Sequence, residues 1–108
     1  MAQLSTTSSR IKIWRDSDLS TTPQPIDPTG PTHPTTGQLI GYLTKRIVIK
    51  AGTANQGTVR VWDQSTSPGM YYQLAASEEL EMWVDSSLLV LLSGSAASQA
   101  VYVYMELR

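Results

Sequence analysis

The closing stretch AVYVYMEL, residues 100–107, alternates aliphatic side chains with aromatic or polar ones at a period of two. This alternation is typical of a β-strand that has one face on a hydrophobic core. Similar short runs recur along the chain, at residues 10–15, 38–50, 58–63, 70–75, 79–85 and 88–92. Clusters of Gly, Pro, Asn and Ser separate most of them, as in a β-sandwich or barrel. The pattern predicts an all-β fold of about seven strands.

The N-terminal third differs in composition from the rest of the chain. Five of the six prolines lie within residues 23–34, and each fixes φ and removes a backbone donor. We therefore predict an extended Thr/Pro-rich arm at residues 1–36, followed by a β-sandwich domain at residues 37–108. Composition alone is also typical of a disordered tail.

One segment of the arm argues against a passive tail. RIKIWR, residues 10–15, places Ile11 and Ile13 on one side of an extended chain and Trp14 on the other. We expect residues 10–15 to form a strand or anchor that docks on the same domain or on a neighbouring subunit. Residues 1–8 are expected to be mobile unless a partner captures them.

Charge and composition argue against several classes of partner. The net charge is -1, from 8 basic and 9 acidic residues, whereas nucleic acid and anionic membranes attract clustered Lys and Arg. The longest apolar run, residues 88–92, is far shorter than the ~20 residues of a membrane helix. We expect no secretory signal, no nucleic-acid partner and no membrane. The absence of cysteine excludes disulfides, thiolate metal sites and a Cys nucleophile.

Candidate chemistry is sparse, so we predict that the protein is not an enzyme and holds no metal or cofactor. His33 is the only histidine, and it lies in the proline-rich segment, where a catalytic base would lack a rigid scaffold. The acidic pairs, Asp16 with Asp18 and Glu79 with Glu81, carry no calcium-loop motif. Their pattern favours a solvated surface over a calcium site or a glycosidase pair.

Aromatic residues fall on the opposite side of the strands from the aliphatic ones. Three interpretations stay open for them: ordinary sheet surface, a protein–protein interface rich in Tyr, Trp and Arg, or a platform on which sugars stack. With the anchor of the arm, the candidate partner-binding residues are Ile11, Ile13, Trp14, Arg60, Trp62, Trp83, Tyr102 and Tyr104.

Size favours assembly. A β-domain restricted to residues 37–108 would be marginally stable alone, and with no disulfide to support it, oligomerisation is the remaining common support. We expect a homo-oligomer, with a trimer as the leading stoichiometry.

The order of segments resembles a known class of protein. After the Thr/Pro arm come KRIVIKAGTANQGTVRVWD (residues 45–63), GMYYQLAASEELEMWVD (residues 69–85) and AVYVYMELR (residues 100–108). This succession is similar to small virion proteins of tailed bacteriophages, especially capsid cement or decoration proteins of jelly-roll type.

The resemblance implies a jelly-roll-like fold and a structural role. A protein of this class is made in the host cytoplasm, sits on the outer capsid surface, commonly as a trimer, and stabilises the capsid by binding the major capsid protein. A tail or neck location is a related implication. The alternative is a carbohydrate- or host-surface-binding β-module of a phage tail or fibre.

Overall fold

The computed structural model describes residues 10–64 and 71–108. The segment expected to be mobile, residues 1–8, lies outside these ranges. The described residues form eight strands and one short 3-10 helix, Ser87–Leu89. The strands are β1 (Arg10–Leu19), β2 (Gln24–Pro25), β3 (Thr44–Ala51), β4 (Val59–Asp63), β5 (Tyr71–Leu74), β6 (Glu79–Met82), β7 (Val90–Gly94) and β8 (Gln99–Leu107).

The strands form two antiparallel sheets of four. The front sheet has the order β1-β8-β3-β6, and the back sheet has the order β2-β7-β4-β5. The pairs β1–β8, β2–β7, β3–β6 and β4–β5 are those of one long hairpin wound around itself, with successive pairs in alternate sheets. This is the arrangement of a jelly roll, which confirms the prediction of a small all-β sandwich.

The core lies between the two sheets and is filled by the aliphatic side of each strand. Val101, Val103 and Met105 on β8 are fully buried, and Val59 and Val61 on β4 lie inward as their alternation predicted. The remaining core residues are Leu19, Ile26, Ile47, Ile49, Ala51, Leu74, Val90 and Leu92. Side chains from both sheets thus interdigitate in a single cluster, as sandwich packing requires.

Residues 10–36 belong to this same fold, which differs from the predicted division into an arm and a domain at residues 36 and 37. β1 pairs with β8 over most of its length, and β2 pairs with β7. Leu19 and Ile26 are fully buried in the core. The strand predicted at residues 10–15 is therefore confirmed, and its docking site is the chain's own sheet.

Proline is accommodated without breaking either sheet. Pro25 lies in β2, a two-residue strand at the edge of the back sheet, where a missing N–H costs least. β2 is the strand that the prediction of about seven strands did not include, because the proline-rich composition of this segment gave no sign of a strand. No helix in residues 10–64 and 71–108 has the length and apolar character to cross a bilayer.

Candidate functional site

The outer surface of the front sheet consists of cross-strand rows of side chains, and we call it the front face. In antiparallel sheets, directly opposed residues lie on the same side. One row runs Ile13, Tyr104, Val48 and Glu81, from β1 to β6. Three adjacent strands thereby place an isoleucine, a tyrosine and a valine side by side on the outside of the sandwich.

A second row runs parallel to the first and adds polar groups. It consists of Arg15, Tyr102, Lys50 and Glu79. Lys50 Nζ lies 3.9 Å from Glu79 Oε1, so the charges at the β6 side of this row are matched. In these two rows, the aromatic side chains lie on β8, and the ion pair lies between β3 and β6.

Arg46 organises the polar part of the front face. Its Nη1 donates to Glu81 Oε2 at 2.6 Å, its Nε lies 3.4 Å from Glu106 Oε2, and its guanidinium stands 5.8 Å from the ring centre of Tyr104. The hydrogen bond to Glu81 raises the pKa of Arg46, while burial opposes that shift. The Arg46 guanidinium thus lies between two carboxylates and beside the ring of Tyr104.

Three large apolar side chains on this face stand in solvent. Trp83 is 72% exposed, Ile13 67% and Tyr102 44%. The register of β3 and β6 extends to the isolated pair Leu43–Ser86, which puts Trp83 opposite Arg46. Exposed aromatic groups beside matched charges are the composition of protein interfaces.

Trp14 does not belong to the front face. It lies opposite Val103 on β8 and packs, partly buried, against the core. Val103 is an inward residue with no exposed surface, and its cross-strand neighbour shares that side of the sheet. The sequence placed Trp14 and the pair Ile11 and Ile13 on opposite sides of the strand, and the structure confirms this separation.

The predicted aromatic set is divided between two sheets. Tyr102 and Tyr104 lie on the front face, whereas Arg60 and Trp62 lie on β4 in the back sheet. The structure therefore does not bring all the candidate residues onto one face. Alternation along the sequence identifies which side of a strand faces away from the core. It does not identify the sheet to which the strand belongs.

The back sheet carries its own compact cluster around Trp62. The indole Nε1 donates to Ser93 Oγ at 2.7 Å, and the Trp62 and Tyr71 ring centres are 4.5 Å apart. The Arg60 guanidinium lies 4.8 Å from the ring centre of Tyr71, and its buried Nε has no hydrogen-bond partner among the described residues. Tyr71 was missed as a site residue, because its pairing with Trp62 depends on the register of β4 and β5.

A cleft of about 490 Å³ opens beside this cluster, where the edges of the two sheets, β5 and β6, face each other. Its walls are mainly apolar and include Trp62, Tyr72, Leu80, Met82, Val84 and Leu89. Tyr72 is 68% exposed. Sequence reasoning did not find the cleft, since it forms between strands that are not neighbours along the chain.

The side chains with catalytic or metal-binding potential make local hydrogen bonds with neighbouring residues of the chain. His33 Nδ1 accepts hydrogen bonds from the backbone N–H groups of Thr35 and Thr36, at 3.1 and 3.2 Å. Asp16 and Asp18 are joined by a bond from Asp18 N to Asp16 Oδ1 at 2.9 Å. Across residues 10–64 and 71–108, no group of three His, Asp or Glu side chains could hold a metal ion.

A buried acid–phenol pair closes the connection between β2 and β3. Tyr42 donates to Asp27 Oδ2 at 2.7 Å, and Thr29 Oγ1 donates to Asp27 Oδ1 at 3.0 Å. Burial, with the adjacent carboxylate, raises the pKa of Tyr42 to about 12. This pair anchors the loop to the sandwich.

Comparison with protein families, curated proteins and solved structures found no match to this chain.

Proposed function

We propose that the chain is a structural virion protein, a cement or decoration protein of a tailed phage, which binds the major capsid protein through its front face. The observation that carries the proposal is the exposure of Trp83, Ile13 and Tyr102 on the outer side of one sheet. Tyr and Trp side chains are enriched in protein interfaces relative to the rest of the surface. The resemblance of the sequence to capsid cement proteins supplies the class of partner.

The polar part of the front face suits a partner that covers it only in part. Arg46 is already neutralised by Glu81 and Glu106. A partner protein that covered Arg46 would therefore not bury an unpaired charge. In protein interfaces, such pairs typically form a rim around an apolar centre. Ile13, Tyr102 and Tyr104 would form that centre, with the Arg46 network beside it.

Under this proposal the protein acts by binding and not by catalysis. It would be made in the host cytoplasm and would then occupy the outer capsid surface, where it joins neighbouring capsomers. The homo-oligomer and its trimeric form stay predictions from the sequence. A tail or neck position would use the same front face against a different virion protein.

Co-sedimentation tests the proposal. The full chain is mixed with empty capsids of the phage whose genome encodes it, and capsids of an unrelated phage serve as the control. We expect the chain to sediment only with its own capsids. Recovery of all the protein at the top of the gradient in both cases would rule out capsid binding.

Single substitutions assign the surface used. Trp83→Ala and Tyr102→Ala remove exposed front-face aromatics and should weaken capsid binding by about tenfold or more each, as interface hot spots do. Tyr72→Ala removes a side chain of comparable exposure on the back sheet and should leave binding unchanged. Equal losses in all three variants would contradict a front-face interface.

A second candidate function, carbohydrate or host-surface binding, is favoured by the back-sheet cluster. Trp62 and Tyr72 border an apolar cleft whose lining also includes the carboxylates of Asp63 and Glu81. Aromatic planes beside groups that accept hydrogen bonds from hydroxyls suit sugar rings. A glycan array probed with the full chain tests it: signal lost in Tyr72→Ala and kept in Trp83→Ala would favour this function over capsid binding.

A further inference from the structure

Among the strands of residues 10–64 and 71–108, β1 is the longest edge strand. Each sheet has two edge strands, and β1 has ten residues, while β2, β5 and β6 have two, four and four. Outside the β1–β8 ladder, no backbone–backbone hydrogen bond links residues 10–18 to another described residue. A long edge strand presents a row of N–H and C=O groups on which another strand can pair.

β1 combines features that favour edge pairing with features that oppose it. The strand contains no proline, and its pairing with β8 is regular from Arg10 to Asp16 before a bulge precedes Leu19. At the middle of this regular stretch lies Ile13, which is 67% exposed. Charged side chains, including Lys12 on the inward side of the strand, are a common protection against edge pairing. Pairing at this edge therefore requires a partner strand that matches the charges of β1.

The charges of β1 are arranged for a second copy of itself. Arg10 and Lys12 lie in its first half, and Arg15, Asp16 and Asp18 lie in its second half, so the first half is positive and the second half is negative overall. An antiparallel copy sets each basic end against an acidic end, whereas a parallel copy in register sets like charges together. Opposed charges stabilise cross-strand neighbours and like charges destabilise them.

We infer that β1 pairs antiparallel with β1 of a second copy, about a two-fold axis at Ile13. In this register, Ile13 lies opposite Ile13 of the partner subunit, and Arg10 lies opposite Asp16 of the partner subunit. The interface is isologous, as in most dimers, and it joins the two front sheets into one eight-stranded sheet. Within one copy, Arg10 Nη2 donates to Arg108 O at 3.2 Å, and Asp16 accepts from Gln24 Nε2 at 3.3 Å and from Asp18 N at 2.9 Å.

The inference does not depend on capsid binding, because it uses only the edge of the sheet. It bears on stoichiometry, since a two-fold contact gives assemblies with an even number of chains, in contrast to the trimer expected from the sequence. It also enlarges the front face, because the rows that begin at Ile13 and Arg15 continue into the partner subunit.

Cross-linking tests the register directly. The chain has no cysteine, so Ile13→Cys introduces a single thiol, and side chains directly opposed across two strands are close enough to be joined. Under mild oxidation, or with a short bis-maleimide, we expect Ile13→Cys to give a covalent dimer. The control is Tyr72→Cys, because Tyr72 lies on the back sheet and has nearly the same exposure as Ile13. We expect this variant to stay a monomer. Equal cross-linking of both variants, or of neither, would overturn the inference.

Charge reversal tests the polarity of the pairing. Light scattering of the full chain at low salt should give the mass of an even number of copies. Arg10→Glu and Asp16→Arg should each raise the dissociation constant by about tenfold or more, because each alters two symmetry-related pairs. The double variant should restore association, and Lys45→Glu, an equal charge change on β3, should not affect it. A mass of one or three chains for the unmodified protein, or no recovery in the double variant, would overturn the inference.

Discussion

Trp14 lies directly opposite Val103 across the β1–β8 ladder, and both side chains face the core. The first third of the chain is thus held by the same cluster that holds the last strand. Leu19 and Ile26 extend this attachment, since both are fully buried. Trp14 therefore packs against the chain's own core, where most of its side chain is not available to a partner protein.

Trp14→Ala should destabilise the whole fold. Replacement of a large aromatic core residue by alanine costs about 3–5 kcal/mol, and we expect about 3 kcal/mol because Trp14 is only partly buried. Urea unfolding measures the loss. Trp83→Ala is the matched control, since Trp83 is 72% exposed and its removal should change the free energy of unfolding little. An unchanged midpoint for Trp14→Ala would mean that the indole serves a partner and not the core.

Removal of residues 1–36 should abolish folding. The deletion takes away β1, β2 and the buried side chains of Leu19 and Ile26, and it leaves both β8 and β7 without their outer neighbours. Circular dichroism and amide proton dispersion should report an unfolded chain. Deletion of residues 1–9 is the control, and it should keep the β-sheet spectrum. A folded product from the longer deletion would restore the idea of a separable arm.

The sequence could predict which side of each strand faces the core. It could not predict which of the two sheets contains that strand. Val101, Val103 and Met105 alternate with Tyr102 and Tyr104, which fixed the core side of β8 correctly. A period of two records only that one side is buried. The assignment of β4 to the back sheet depends on long-range pairing, so Trp62 was grouped with tyrosines from which the core separates it.

The proline-rich segment misled the division of the chain for a related reason. Proline disfavours helices and central strands, and the structure respects this, since Pro25 lies on a short edge strand. The next residue, Ile26, is fully buried, and this could not be predicted from the amino-acid composition of the segment. A single buried side chain can tie a loop to a core, and this depends on the position of that residue in the fold.

Stability should fall in strong alkali because of Tyr42. Burial, with the adjacent carboxylate of Asp27, raises the pKa of Tyr42 from 10.0 to about 12. Because the folded pKa exceeds the unfolded one, the contribution is complete below pH 10 and is lost as the pH rises to about 12. Urea unfolding at pH 8, 10 and 11.5 should show a decline that is smaller in Tyr42→Phe. Parallel declines in both proteins would show that other groups cause the alkaline loss.

Asn55 should be required for the junction between β3 and β8. Its Nδ2 donates to Ala100 O at 2.8 Å, and its Oδ1 accepts from Ala100 N at 2.7 Å. The side chain thereby bonds both backbone groups of Ala100, whose carbonyl also accepts from Gly52 N at 3.0 Å. Asn55→Asp keeps the acceptor and replaces the donor by a carboxylate oxygen that faces the Ala100 carbonyl, so the bond becomes a repulsion.

We expect Asn55→Asp to lower the free energy of unfolding by about 1–3 kcal/mol at pH 7, the range for a buried polar group that loses its partner. The loss should shrink at pH 3, where a protonated carboxyl can donate to Ala100 O again. Gln56→Glu, at an exposed neighbour in the same loop, controls for the added charge. If both variants lose the same stability at pH 7, charge in the loop and not the Asn55 clamp would account for the effect.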